Sequence, residues 1–245
     1  MSVVQRIRKN TGRAPPSGRG AGSRPLMPCA LSARHEGGED MPDRIAEGVE
    51  KFRRDEFVTR REFFKELAIG QKPNALFITC SDSRINPHLV TQSEPGELFV
   101  IRNAGNIVPR ADTVGGSGEG ATLEFAIKGL GIPRIIVCGH SLCGAMGAVI
   151  DPNSARTMPS VLEWVKLAAP ALERTPEGEH RHDRLAEQNV LLQLENLRSY
   201  DFVREAEAAG RLTLSAWMYR FQDGEVFAHD ASTGRFTPLH AGVAG

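Results

Sequence analysis

The sequence predicts an α/β fold, a mainly parallel β-sheet with an antiparallel edge strand, flanked by helices. Three observations predict it. Short β-branched, apolar runs recur over 75–80, 97–101, 134–139 and 212–219, with helical periodicity or Gly-rich leads between them, which is the alternation of a parallel sheet with crossover helices. The first three runs stop at, or just before, Cys80, Arg102 and His140, and open parallel sheets bind ligands at the carboxyl ends of their strands. Asp223-Gly224 then marks a hairpin, after which 226–229 returns antiparallel.

The elements follow in order. Over 1–41, Gly, Pro, Ser and Arg dominate and no periodic apolar face forms. Such a segment buries too little to offset its ordering entropy. It is expected to be a disordered basic arm, or an extension ahead of a true start at Met41, and it lacks the apolar core of a secretory signal. One domain is expected over 42–245. Ile45, Val49, Phe52 and Phe57 space as a helix face, and Phe63, Phe64 and Leu67 begin another, with Gly70 as its C-cap. The strand 75–80 follows, then a short helix or turn over 85–90. Pro95-Gly96 leads into 97–101, and the glycines from Gly115 to Gly120 lead into a helix carrying Leu123, Phe125, Ala126 and Leu130. Gly131-Ile132-Pro133 stops it before 134–139. Small residues after Cys143 let a helix start close to that strand end, and further helices are expected over 160–169, 181–197 and 200–208.

Composition narrows the partners. Thirty Lys and Arg balance thirty Asp and Glu, so no overall field favours nucleic acid or an anionic membrane. No apolar run approaches the roughly 20 residues of a spanning helix, and a soluble, cytoplasmic protein is expected. Four cysteines in this length fit metal binding in a reducing compartment better than a disulfide scaffold. Cys29, in the arm, and Cys138, inside a strand, are expected to do no chemistry.

The chemistry concentrates in two stretches, 75–84 (ALFITCSDSR) and 134–143 (RIIVCGHSLC). Cys80, His140 and Cys143 are two thiolates and an imidazole, the donor set Zn²⁺ prefers. Three protein ligands leave a coordination position for water, which is a catalytic count. Gly139 is expected to free the backbone before His140. Asp82 and Arg84 follow Cys80 at alternate positions as an acid with its ion-pair partner. Cys80 does not read as a phosphatase nucleophile, because only three residues separate it from Arg84, nor as a redox thiol, because no C-x-x-C is present. His180 and His182 fall in a polar run read as a solvated loop, with a proton-relay role open to one of them.

CSDSR at 80–84, RNAGN at 102–106 and GHSLCG at 139–144 resemble the β-class carbonic anhydrases, bacterial members with a plant-type active site, over about 42–239. The resemblance implies a carbonate dehydratase, a lyase with one Zn²⁺ per chain that interconverts CO₂ and bicarbonate by attack of zinc-bound hydroxide, and a homodimer or homotetramer. It implies that Cys80, His140 and Cys143 hold zinc. It implies that Arg84 holds Asp82 off the metal while Asp82 accepts a hydrogen bond from the hydroxide, with Asp82 as fourth ligand in a closed state. Gln71, Phe99, Ala104, Phe125 and Gly144 fall at substrate-pocket positions, several of them contributed across a dimer interface. Phe125 stands where many relatives have Tyr. Phe77 stands where relatives that shut by moving the Asp onto zinc have Trp, so an Asp82 paired to Arg84 is expected. Two alternatives are a non-catalytic zinc-binding assembly protein, with Asp82 a permanent ligand, and the same chemistry on CS₂ or COS.

Overall fold

The computed structural model describes residues 43–113 and 116–239. The arm expected over 1–41, with Cys29, lies outside them. The chain divides after Asp55 into two compact units. In the first, α1 (Arg44–Lys51) starts at Asp43, whose carboxylate accepts the Ile45 and Ala46 N–H groups at 3.0 and 3.3 Å, as an N-cap should. Its apolar residues Ile45 and Val49 are exposed.

The second unit holds the sheet. After α2 (Arg61–Ile69), Gly70 is the C-cap as expected, with an extended backbone at φ 173°. Then come β1 (Ala75–Cys80), α3 (Pro87–Thr91), β2 (Leu98–Asn103), α4 (Gly118–Glu124) and β3 (Arg134–His140). α5 (Gly144–Ile150), α6 (Pro159–Val165), α7 (Ala169–Glu173), α8 (Arg181–Leu197) and α9 (Asp201–Ala208) precede β4 (Thr213–Tyr219), β5 (Val226–Asp230) and β6 (Arg235–Pro238). The helix expected over 160–169 is two short helices joined by a 3₁₀ turn, Lys166–Ala168. The helix through Phe125 widens into a π turn, Phe125–Gly129.

The strand order is β2-β1-β3-β4-β5-β6. β2, β1, β3 and β4 run parallel, and β5 and β6 add antiparallel. The expected sheet is present with one strand more at its edge. Arg235–Pro238 is four residues long, half polar and closed by Pro, which gives no run to detect. It forms because Asp230 accepts hydrogen bonds from Ser232 and Thr233 and Gly234 takes φ +67°, so that the chain turns back on itself.

The central strands β1 and β3 are buried on both faces, as the inner strands of a parallel sheet are. Alternation sends Leu76, Ile78, Ile135 and Val137 to the face covered by α8. Phe77, Ile136, Cys138 and Trp217 go to the other, where Phe77 meets Trp217 edge-on at 6.1 Å. Phe77, fully buried, is therefore a core residue.

Gly139 has a different reason from the one expected. Its backbone is ordinary strand, but an added Cβ would lie 2.6 Å from Val190 Cγ2 and 2.7 Å from Met218 Sδ. Glycine here lets α8 approach β3 directly behind His140. Gly139→Ala is expected to destabilise by about 1–3 kcal/mol through overpacking, lowering the melting temperature by several degrees. An unchanged thermal transition would show that α8 can give way.

Candidate metal centre and active site

β1 and β3 are adjacent and parallel, so their carboxyl ends deliver Cys80 and His140 side by side. The chain turns at Ser141-Leu142, with Leu142 at φ +55°, and Cys143 opens α5. Cys80, His140 and Cys143 are buried, and their ligand atoms all lie within 4.8 Å of one another. Among the described residues they are the one group of His, Cys and acidic side chains so gathered.

The protonation of this group fits a metal. His140 Nδ1 lies 2.8 Å from the Ser141 carbonyl oxygen. A carbonyl can only accept, so Nδ1 carries the proton and Nε2 keeps its lone pair. That Nε2 is buried and has no hydrogen-bond partner, an omission that costs about 1–3 kcal/mol unless something binds there. The two sulfurs lie 4.0 Å apart. Cys80 Sγ receives the Gly105 N–H at 3.3 Å. Its thiol is pulled well below the ordinary range by the hydrogen bond with Cys143 foremost, against its burial, and by the Gly105 and Asp82 backbone amides. Cys143 is pushed up because it serves as donor to Cys80 and is buried, although the Met146 and Ala145 amides favour its thiolate. With a cation, the backbone donors suit both as thiolates. Cys138, by contrast, packs in the cluster on the face away from Cys80 and Cys143, outside the gathered group, and burial pushes its thiol up to about 12.

Beside the trio, Arg84 and Asp82 form the expected ion pair. Nε and Nη2 of Arg84 donate to the two carboxylate oxygens at 2.9 and 2.8 Å, and the Arg84 N–H adds a third bond at 3.0 Å. The guanidinium holds the Asp82 carboxyl down to about 2, from an ordinary 3.8. Arg84 Nη2 also donates to the Leu142 carbonyl at 3.2 Å and so ties the two ligand-bearing loops together. Arg102, at the end of β2, donates to the carbonyls of Cys80, Asp82 and Ile85. It shapes the Asp82 loop from behind.

The pocket residues divide. Ala104 precedes the amide that meets Cys80, and its carbonyl is held by Trp164 Nε1 at 2.8 Å. Gly144 follows Cys143. Gln71 is exposed on the segment before β1. Phe99 is level with Leu76, four residues before Cys80 along β1, roughly 13 Å away at the rise of a strand. It packs on Phe125 at 6.1 Å, and Phe125 is 52% exposed. One chain thus brings Ala104 and Gly144 to the cysteines and leaves the Phe99–Phe125 pair elsewhere.

Sequence reasoning missed what α8 does. Asn189, Gln193 and Asn196 are buried along one face of it. Asn189 Nδ2 donates to the Gly105 carbonyl, the Val108 N–H donates to Gln193 Oε1, and Asn196 Nδ2 donates to the Val108 carbonyl, all within 2.8–2.9 Å. These amides fix the loop whose Gly105 N–H meets Cys80. Their helical spacing within an apolar face was the signal available. His182, read as a loop residue, is in α8, and its Nε2–H donates to the Cys143 carbonyl at 2.9 Å. Asp183 accepts the Leu142 N–H at 3.3 Å.

Comparison with known proteins agrees with this geometry. The carbonic anhydrase family model matches residues 75–226. A carbonic anhydrase of Pseudomonas aeruginosa is 46% identical over 200 residues, 80% of this chain and 90% of that protein. The solved β-carbonic anhydrase CcaA superposes with a TM-score of 0.76 at 43% identity, covering 80% of this chain and 98% of its own. A structure from a study of two tetrameric β-carbonic anhydrases of Sordaria macrospora gives 0.60 at 27% identity, covering 82% and 95%.

Proposed function

This chain belongs to the β-class carbonic anhydrases, and we propose that it interconverts CO₂ and bicarbonate at a zinc ion held by Cys80, His140 and Cys143. The observation that carries the metal is the buried, unpartnered His140 Nε2 facing two sulfurs. Zinc bound by such a set lowers the pKa of its water from about 15.7 toward about 7 and so supplies hydroxide near neutrality.

The chain's own residues do the rest. Asp82, ionised at any working pH, is an acceptor only. With Arg84 on one edge of the carboxylate, the lone pairs that remain can accept a hydrogen bond from a donor at the site and orient it. Arg84 keeps that carboxylate from leaving its place, and always carries its charge. Because Asp82 is already engaged by three hydrogen bonds, a catalytic centre fits better than a closed four-ligand one. The Gly105 amide and the α5 amides spread charge off the sulfurs, which leaves the metal more electrophilic.

CO₂ is apolar and needs a small apolar wall. The Phe99–Phe125 pair suits that, and because it lies away from its own chain's cysteines, the reading includes a homodimer in which a second copy supplies it, or a tetramer as in the Sordaria relatives. The activity is assigned to residues 42–245 and the location to the cytoplasm, where thiolates stay reduced. No helix among the described residues is long and apolar enough to cross a membrane. Stopped-flow CO₂ hydration by protein with quantified zinc tests the proposal. Rapid turnover at one zinc per chain, abolished by chelation and restored by zinc, is expected. Full zinc with no turnover would reject it, and faster reaction with COS than with CO₂ would reassign the substrate.

A further inference from the structure

We propose that Phe221 is a positioning residue for the Asp82–Arg84 pair: its ring holds the Arg84 guanidinium on one face while it packs against the His140 imidazole. The functional consequence rests on the zinc-enzyme reading above; the contact itself does not. Arg84 Cζ lies 4.4 Å from the ring centroid, within cation–π range. The His140 ring centroid is 4.9 Å away at 46°. Tyr219 meets the ring edge-on at 5.4 Å and 90°, which sets its tilt.

The backbone beneath the ring is fixed as well. The Phe221 N–H donates to Ser141 Oγ at 3.0 Å, and that hydroxyl donates to Gln222 Oε1 at 3.0 Å. The Ser141 N–H donates to the Tyr219 carbonyl at 2.9 Å. The turn after β4 is thus fastened to the turn between His140 and Cys143, and Phe221 is carried to where its ring touches both a proposed ligand and Arg84.

Arg84 needs such a support. Its side chain is 51% exposed while Asp82 is 17% exposed, so the long partner of the pair is the one free to wander. The bonds to Asp82 and to the Leu142 carbonyl act along the guanidinium edge. Nothing in that plane stops the group from lifting off, and an aromatic face does. An aliphatic residue of similar volume fills the space without attracting the cation.

The experiment uses zinc-loaded full-length protein carrying F221L, F221Y, R84A or F221L with R84A. Each is measured for CO₂ hydration, zinc retention against a chelator, and thermal midpoint. F221L is expected to lower kcat/KM by about three- to tenfold with zinc retained, and F221Y to restore most of the rate. In the R84A background F221L should cost less than twofold further. A wild-type rate in F221L, equal failure of F221Y and F221L, or the same loss with and without Arg84 would overturn the proposal. So would loss of zinc in F221L, which would place the effect on His140. If wild-type protein holds zinc but hydrates no CO₂, the enzyme reading fails alone, and the thermal midpoints decide: additive losses for F221L and R84A overturn the contact, and non-additive losses uphold it.

Discussion

Replacing His140 or Cys143 by alanine is expected to leave a folded protein that no longer retains zinc and no longer hydrates CO₂. Losing a group that merely orients a metal ligand already weakens binding about ten- to a hundredfold, so losing one ligand of three should exceed a hundredfold. The structure predicts that the fold survives. His140 Nε2 makes no hydrogen bond to the protein, so deleting the ring removes an unsatisfied buried atom together with one bond to the Ser141 carbonyl and the packing against Phe221. Metal content by mass spectrometry, circular dichroism and stopped-flow rates together check this. Cys138→Ala is the control, since that thiol, two residues back along β3, packs in the cluster away from Cys80 and Cys143 and is outside the gathered ligand atoms. It should keep zinc and activity. Zinc bound at full stoichiometry in His140→Ala, or lost in Cys138→Ala, would mean that the trio is not the site.

The contrast between Cys138 and Cys143 also indicates what a sequence can disclose. The trio was legible because its members end adjacent strands or follow one within three residues, and parallel sheets put ligands at such ends. The Asp82–Arg84 pair was legible because its partners are two residues apart. Phe221 was not, because its role comes from Ser141, 80 positions earlier, and from how far the β4 turn carries it. The amides of α8 reach loops 84–88 positions away, and only their spacing hinted at a shared face. Gly139 was given the wrong reason because its crowding comes from Val190 and Met218, which no local rule relates to it. Local chemistry with near partners was readable. Support delivered by packing was not.

Asp82→Asn is expected to keep zinc, keep the fold and lose most turnover, by about a hundredfold, the loss that misplacing a reacting group can cause. The replacement is nearly isosteric but changes the bonding. Arg84 presents donors to both carboxylate oxygens; an asparagine offers one acceptor and turns an NH₂ toward the other donor. Stability should change little, because a pair with side chains 17% and 51% exposed is worth about 0–1 kcal/mol. The sign of the pH effect follows from the depressed Asp82 pKa, about 2 against 3.8. The pair's contribution is complete above the higher value and disappears as pH falls through the lower one, so the variant should match wild type in strong acid and differ slightly near neutrality. Turnover and stability therefore separate: a role in holding the loop alone would lower the thermal midpoint in proportion to the rate, whereas a role in the reaction lowers the rate at an almost constant midpoint. Full activity in Asp82→Asn would remove Asp82 from the mechanism and leave Arg84 as a tie between the loops of Cys80 and Cys143.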